Sequence, residues 1–396
     1  MVKLKNDYLI SVAIPTHNRS KYAIDCVKSL LRIDSDKLQV IVHDTSDDSL
    51  ELKCWAENIT DKRLNYIHSS KRLSMTENHE VAISYAAGLY TILIGDDDSV
   101  SSTVIDLARY ALSNNIDILV PKVKAVYSWP DFKTKFYGGA HAGKLYLDKY
   151  DSRISIKDSS LALSHMLKNA CQGTDGMPKL YHGMVRTSLL RDLKIKNDMV
   201  FFGVSPDVSA SISLALVVDK FYEIDFPFTL PGASGGSNTG RSALNKHRGD
   251  LESDEHIKPF LNLNWPDTIP KFFSVETVWS QAAWSTIYSQ KNAESHLFLE
   301  RFNLNQLYAL CLLKHRHYSK LTWRAFKNAK TQGLKVSRLS IVYNYAISVL
   351  EIIVRKSKRL LNPLPSGGKE VLGTFETVYE AIIELDKTLL KDFHLK

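Results

Sequence analysis

Cysteine is scarce and scattered. Cys26, Cys54, Cys171 and Cys311 form no C-x-x-C pair, which argues against a zinc ribbon and against a disulfide scaffold. No apolar run approaches the ~20 residues that a membrane-crossing helix needs. The opening MVKLKNDYLISVAIP offers no small-residue cleavage site; its apolar stretch runs straight into Pro15 and the polar HNRSKY. A secretory signal is therefore not expected, and a cytoplasmic location is. Glycine (18) and proline (12) are few among 396 residues, and 44% of the chain is apolar against 24% charged. That excludes collagen-like and disordered classes. No internal repeat is found.

What is present is enough chain for two to three domains at about 150 residues each. Charge is unevenly spread. Residues 291–396 hold 18 Lys and Arg against 9 Asp and Glu, whereas residues 1–290 sum to −1. Within 301–360 the balance is 13 basic residues to the single acid Glu351. Such a block suggests an anionic partner, a membrane surface or nucleic acid. Nucleic-acid binding calls for aromatics among the basic residues on one face. Trp323 and Phe326 beside Arg324 and Lys327 are too few, so no nucleic-acid partner is expected.

YLISVAI at 8–14 reads as a buried parallel strand ending at Pro15. The spacing of Tyr22, Ala23, Cys26, Val27, Leu30 and Leu31 predicts a helix. LQVIVH (38–43), LNYI (64–67), YTILI (90–94) and IDILV (116–120) read as further strands, with helices between them. This alternation predicts a doubly wound, mostly parallel α/β sheet. Ligands bind such sheets at the strands' carboxyl ends. PTHNR, HDTSDD and GDDD all lie there. FYEIDFPFTL (221–230) reads as an extended edge segment. From about 270 the pattern turns helical.

Asp96, Asp97 and Asp98 close an apolar strand. Three adjacent carboxylates repel one another unless a cation joins them. Oxygen ligands suit Mg²⁺ or Mn²⁺, which would bridge a diphosphate. The bland alternative is an acidic turn heading the next helix. Asp44 ends the second strand and could accept from a ribose or base, or simply form an Asx-turn. Arg19, in Pro15-Thr16-His17-Asn18-Arg19, could neutralise phosphate while the loop backbone holds a base.

In order and spacing these elements resemble the nucleotide-diphospho-sugar domain of glycosyltransferase family 2, an inverting family with the GT-A fold. The matching pieces are Pro15 to Arg19, then His43-Asp44-Thr45-Ser46. Asn78, Gly88 and Tyr90 follow, and then Gly95-Asp96-Asp97-Asp98, a GDDD variant of the metal motif. The likeness covers about residues 8–125 well and extends more loosely to 240. It implies donor contacts from Pro15, Thr16, His17, Arg19, Asp44, Arg72, Asn78, Asp96 and Asp97. His43 and Gly95 replace acidic residues of the family pattern, leaving Asp97 and Asp98 as competing metal ligands. The alignment favours Asp98 on the metal. His247 is a candidate additional ligand.

The resemblance also implies an acidic base at a helix start about 100 residues beyond the metal motif. Asp207, after Pro206, fits. Asp175, in a glycine-flanked loop, competes for that role or binds acceptor, and His182 and Arg186 are further acceptor-side candidates. The implied reaction is inverting transfer from a nucleotide-sugar, expected to be a UDP-sugar, to a glycan or lipid-linked acceptor. Competing readings are a nucleotidyltransferase of similar fold, for which the glycine-rich basic loop is missing, and an inactive scaffold subunit. The expected layout is a GT-A domain at 1–240 (donor half 8–125, acceptor half 126–240), a linker at 241–270 and a basic helical region at 271–396. Its helix at 337–360 is apolar beside Arg355, Lys356, Lys358 and Arg359. It suits a peripheral contact with an anionic membrane, or a bundle core or homo-oligomer seam.

Overall fold

The structure is a computed structural model that describes residues 8–244, 248–253, 264–291, 296–361 and 363–392. Its centre is an eight-stranded sheet of β1 (Ile10–Thr16), β2 (Leu38–Asp44), β3 (Leu64–His68), β4 (Tyr90–Leu93), β5 (Ile118–Pro121), β6 (Ile154–Asp158), β7 (Met184–Arg186) and β8 (Lys220–Ile224). The spatial order is β3-β2-β1-β4-β7-β5-β8-β6. β1 pairs in parallel with β2 and β4, and β2 with β3, while β7 runs antiparallel between β4 and β5. Every residue of β1 and β2 is buried. Such continuous apolar runs are what a sheet covered on both faces requires.

Register aligns the strand ends. Thr16 pairs with Asp44 and Asp44 with His68, so polar residues from three segments meet on one edge. Gly88 permits the close approach of β4 to β1: a Cβ there would lie 2.6 Å from the Ile10 carbonyl carbon. Two helices matter for the site, α1 (Ser20–Leu31) and α2 (Met75–Ser84). Ser74 and Glu77 cap α2 reciprocally, fixing where Asn78 points.

The helix α3 (Pro206–Ala215) leads into the helical region. That region contains α4 (Val275–Tyr288), α5 (Leu304–Lys314), α6 (Ser319–Thr331) and α7 (Arg338–Leu361). Its core joins Val208 and Ile212 of α3 to Phe272, Ala282, Ile287 and Tyr308. Gly203, at φ 71°, lets the chain before α3 touch α4, since a Cβ there would lie 2.7 Å from the Ala282 Cα.

Two expectations change. The last stretch is not wholly helical: Glu370–Thr374 forms a strand antiparallel to Lys144–Leu147. The final helix, α8 (Val378–Asp392), then packs on α1 through a cluster that includes Val27, Leu30, Ile382 and Leu385. β8 is also not an edge, because β6 pairs along its outer side. Both pairings join segments far apart in sequence, which local pattern does not reveal.

Candidate active site

The acidic turn follows β4 and is crossed by Arg19 from the start of α1. Arg19 Nε donates to Asp96 Oδ1 at 2.7 Å, and Nη2 lies 2.9 Å from Asp97 Oδ2. Nη2 also donates to Ser234 Oγ at 2.8 Å. Ser234 donates in turn to Asp97 Oδ2 at 2.5 Å, and Thr16 Oγ1 to Asp96 Oδ2 at 2.6 Å. Burial works against the Arg19 charge, yet Asp96 and Asp97 hold its pKa above the ordinary value. Burial, and then Asp98, push Asp97 up to about 7. Burial likewise raises Asp96, against the pull of Arg19.

Asp98 has a different environment. It accepts from the Gly95 and Gly232 backbone N–H groups, both at 2.7 Å, and from Tyr181 OH at 3.0 Å. His182 Nε2 lies 3.2 Å from the same carboxylate. Burial alone would raise its pKa, but His182 and the two N–H donors lower it. Asp98 therefore ties the acidic turn to the loop after residue 231 and to the segment before β7. The segment before β7 makes this possible by bridging the end of β4 in parallel: Leu93 N donates to Leu180 O and His182 N to Leu93 O.

Asp44 is fully buried. Its oxygens accept from Ser46 N at 2.8 Å and Tyr66 OH at 2.9 Å, so the Asx-turn is real. Asn78 staples the strand ends together, with Nδ2 donating to Thr16 O at 3.0 Å and Oδ1 2.6 Å from His43 Nδ1. The buried His43 thus fills a structural position, and burial lowers its pKa. Pro15 pairs with His43 within the sheet. His17 Nδ1 lies 2.7 Å from Thr45 O. Arg72 is exposed and its charge reaches Asp47.

Asp207 opens α3 behind Pro206 and accepts from Ser205 Oγ. Its charge is felt by Tyr181, whose pKa is pushed well up by burial first and then by Asp98, Asp97 and Asp207. Asp175 is not in this group: its side chain is wholly exposed and pairs with Lys179 at 3.3 Å. Arg186 is also elsewhere. It pairs in register with Tyr90, at the amino end of β4, and its guanidinium binds Asp117 at 2.5 Å. The acidic turn lies beyond the other end of β4, so Arg186 does not reach it. His247 lies outside the described residues.

Trp129 and Tyr181 meet the acidic turn with no sequence signal of it, whereas Gly232 and Ser234 belong to a glycine-rich loop whose composition marks it as flexible. Trp129 Nε1 donates to Asp97 O at 2.9 Å. Among the described residues no three His, Cys, Asp or Glu side chains are grouped to hold a metal. Asp96, Asp97 and Asp98 bring three carboxylates into one turn, and hard oxygen ligands of this kind suit Mg²⁺ or Mn²⁺.

A mostly parallel sheet with an acidic turn and an arginine at its carboxyl ends defines a nucleotide-binding type of α/β fold. Residues 11–163 match the family model for Glycosyl transferase family 2. It is 26% identical over 132 residues to the glycosyltransferase GlyG of Streptococcus pneumoniae serotype 4, covering 33% of this chain and 42% of that protein. It is 36% identical over 96 residues to the putative colanic acid biosynthesis glycosyl transferase WcaA of Escherichia coli K12, covering 24% and 34%. The matches thus span less than half the length of these curated relatives. Among solved structures, S. aureus TarS 1–349 in complex with UDP-GlcNAc gives a TM-score of 0.45 at 16% identity, covering 83% of this chain and 93% of that one. The mannosyltransferase PcManGT from Pyrobaculum calidifontis, in complex with GDP-Man and Mn²⁺, gives 0.42 at 12% identity, covering 98% and 89%.

Proposed function

We propose that this protein is an inverting glycosyltransferase. It moves a sugar from a nucleoside-diphosphate donor, taken to be a UDP-sugar, to a hydroxyl of a glycan or lipid-linked acceptor. The observation that carries the reading is Arg19 spanning Asp96 and Asp97 at the carboxyl ends of β1 and β4. Assembly of a polysaccharide is the corresponding context, in keeping with the name of one relative. A lipid-linked acceptor would bring the enzyme to a membrane surface from the cytoplasm. No helix among the described residues is long and apolar enough to cross a membrane.

The donor would bind over the strand ends, its diphosphate toward Arg19 and its nucleoside toward the loop 15–19 and Asp44. Asp97, with Asp96, would hold Mn²⁺ or Mg²⁺. Asp98 is the other candidate for that ion; like Asp96 and Asp97, it is held by donors in the protein itself. A divalent ion would supply charge neutralisation for the departing diphosphate. Asp207 would take the proton of the acceptor hydroxyl as that oxygen attacks the anomeric carbon opposite the leaving group. Arg19, held by fixed partners in a buried site, stabilises the charge that develops on the leaving group with little reorganisation. His182 stands at the acceptor side, held by Asp98.

The test is incubation with a panel of nucleotide sugars and acceptors, with and without EDTA, following nucleoside-diphosphate release and the product's anomeric configuration by NMR. Release of an inverted product supports the reading. Pyrophosphate release from a nucleoside triphosphate and a sugar phosphate would make it a nucleotidyltransferase instead. Failure to bind any nucleotide sugar would leave a scaffold.

A further inference from the structure

The helix α7 buries only Ile341 and Ser348 and leaves a large apolar surface uncovered. The face it turns inward is mixed: Ile341 and Tyr345 join the core of the helical region beside polar Asn344 and Ser348. Ser348, one of its two buried residues, accepts from Gln306 Nε2 at 3.2 Å, and Asn344 Oδ1 accepts from Asn303 Nδ2 at 3.4 Å. Several other apolar residues face away. Leu339, Val342, Leu350, Ile353, Val354 and Leu361 are between 53% and 86% exposed. At about 100° per residue they, with the exposed Ala346 between Val342 and Leu350, fall on one side of the helix, a stripe roughly 33 Å long at 1.5 Å rise per residue. An uncovered apolar strip of that size marks a surface with a partner.

The charges identify the partner. α7 carries five basic residues, Arg338, Arg355, Lys356, Lys358 and Arg359, and the single acid Glu351. Exposed Lys320, Arg324 and Lys327 lie on the neighbouring α6. α6 is tied to α7 by Arg338, whose guanidinium sits 5.9 Å from the Trp323 ring centroid. At the far end of the stripe, Tyr137, Lys358, Arg359, Leu364 and Pro365 line a hollow of about 420 Å³. Arg359 is fixed there against the Phe136 and Tyr137 rings, 4.9 and 4.7 Å away. A second copy laid along the stripe would set ten such cations against two glutamates. An anionic bilayer answers both halves of the pattern, accepting the apolar strip between its acyl chains and offering phosphates to the flanking bases.

We infer that the outward face of α7 is an in-plane docking surface for anionic phospholipid, with Lys358 and Arg359 at a headgroup site. The full-length protein should co-sediment with vesicles of phosphatidylcholine and phosphatidylglycerol, but not with phosphatidylcholine alone. Binding should fall about tenfold or more when salt is raised or when Lys356 and Lys358 are changed to Glu. Leu350→Ser with Ile353→Ser should abolish it. All four side chains are exposed, so far-UV circular dichroism and nucleotide-sugar binding should be unchanged, and lipid binding is read without any sugar transfer. Absence of sedimentation with the anionic vesicles would overturn the inference. So would a stable dimer that the Leu350→Ser, Ile353→Ser protein no longer forms, because the stripe would then be a seam between copies.

Discussion

The guanidinium of Arg19 and the carboxylate of Asp97 face each other at 2.9 Å, while the same guanidinium holds Asp96 at 2.7 Å. One planar fork spans two buried acids, which a lysine ammonium cannot do in the same geometry. Arg19→Ala would leave two carboxylates without their cation, at a cost of about 3 kcal/mol typical of a broken buried pair. A lower melting temperature and donor affinity weakened by more than tenfold are expected, with about 1.4 kcal/mol per factor of ten. Arg19→Lys should recover part of the stability but little of the affinity. Thermal unfolding and calorimetric titration with UDP measure the two effects. Wild-type donor affinity in Arg19→Ala would remove Arg19 from the donor site.

Asp207→Asn keeps the shape of the side chain and removes its basicity. Transfer should slow by about three orders of magnitude or more, with donor affinity nearly unchanged, as for loss of a general base. Asp175→Asn should behave as wild type, because Asp175 is exposed and paired with Lys179. The opposite pattern in steady-state kinetics would transfer the role to Asp175.

The parallel half of the sheet was legible because buried strands are written as continuous apolar runs, and YLISVAI and LQVIVH carry their own punctuation at Pro15 and Asp44. The acidic turn drew notice by its place directly after such a run, where an acidic helix head reads the same way. Arg186 misled because LYHGMVR gives no sign that β7 runs antiparallel. Reversal of that strand puts His182 beside Asp98 and sends Arg186 to the opposite end of β4. Trp129 was invisible because its role arises from a contact more than 30 residues away in sequence. The Glu370–Thr374 strand was missed for the same reason.

Asp386 should anchor the end of the chain to the site. It is buried and accepts from Arg32 Nη2 at 2.6 Å, from Ser101 Oγ at 2.6 Å and from Ser102 N at 3.0 Å. Those serines begin three residues beyond Asp98. Asp386→Ala would strand a largely buried guanidinium, with an expected loss of about 3 kcal/mol. Limited proteolysis should then release α8 earlier than in the wild type. Equal protease resistance of the two proteins would show that apolar packing alone holds α8.

Acid should unlock the helical region through Glu276. This buried carboxylate at the start of α4 takes Lys314 Nζ at 2.7 Å and His315 Nε2 at 2.8 Å. Burial alone would raise its pKa, but the bond to His315 and the charge of Lys314 overcome that and lower it from 4.5 to about 2. A depressed folded-state pKa means that the stabilisation is complete above the unfolded value and drains away as pH falls toward the folded one. The window therefore runs from about 4.5 down to about 2. A shift of this size corresponds to about 3 kcal/mol. Glu276→Gln should be less stable than wild type at neutral pH by up to that amount, with the difference shrinking through the window. Fluorescence of Trp265 and Trp284, which lie in the same core, reports the unfolding at each pH. A gap between the two proteins that stays constant down to the bottom of the window would show that Glu276 contributes by packing and not by its charge.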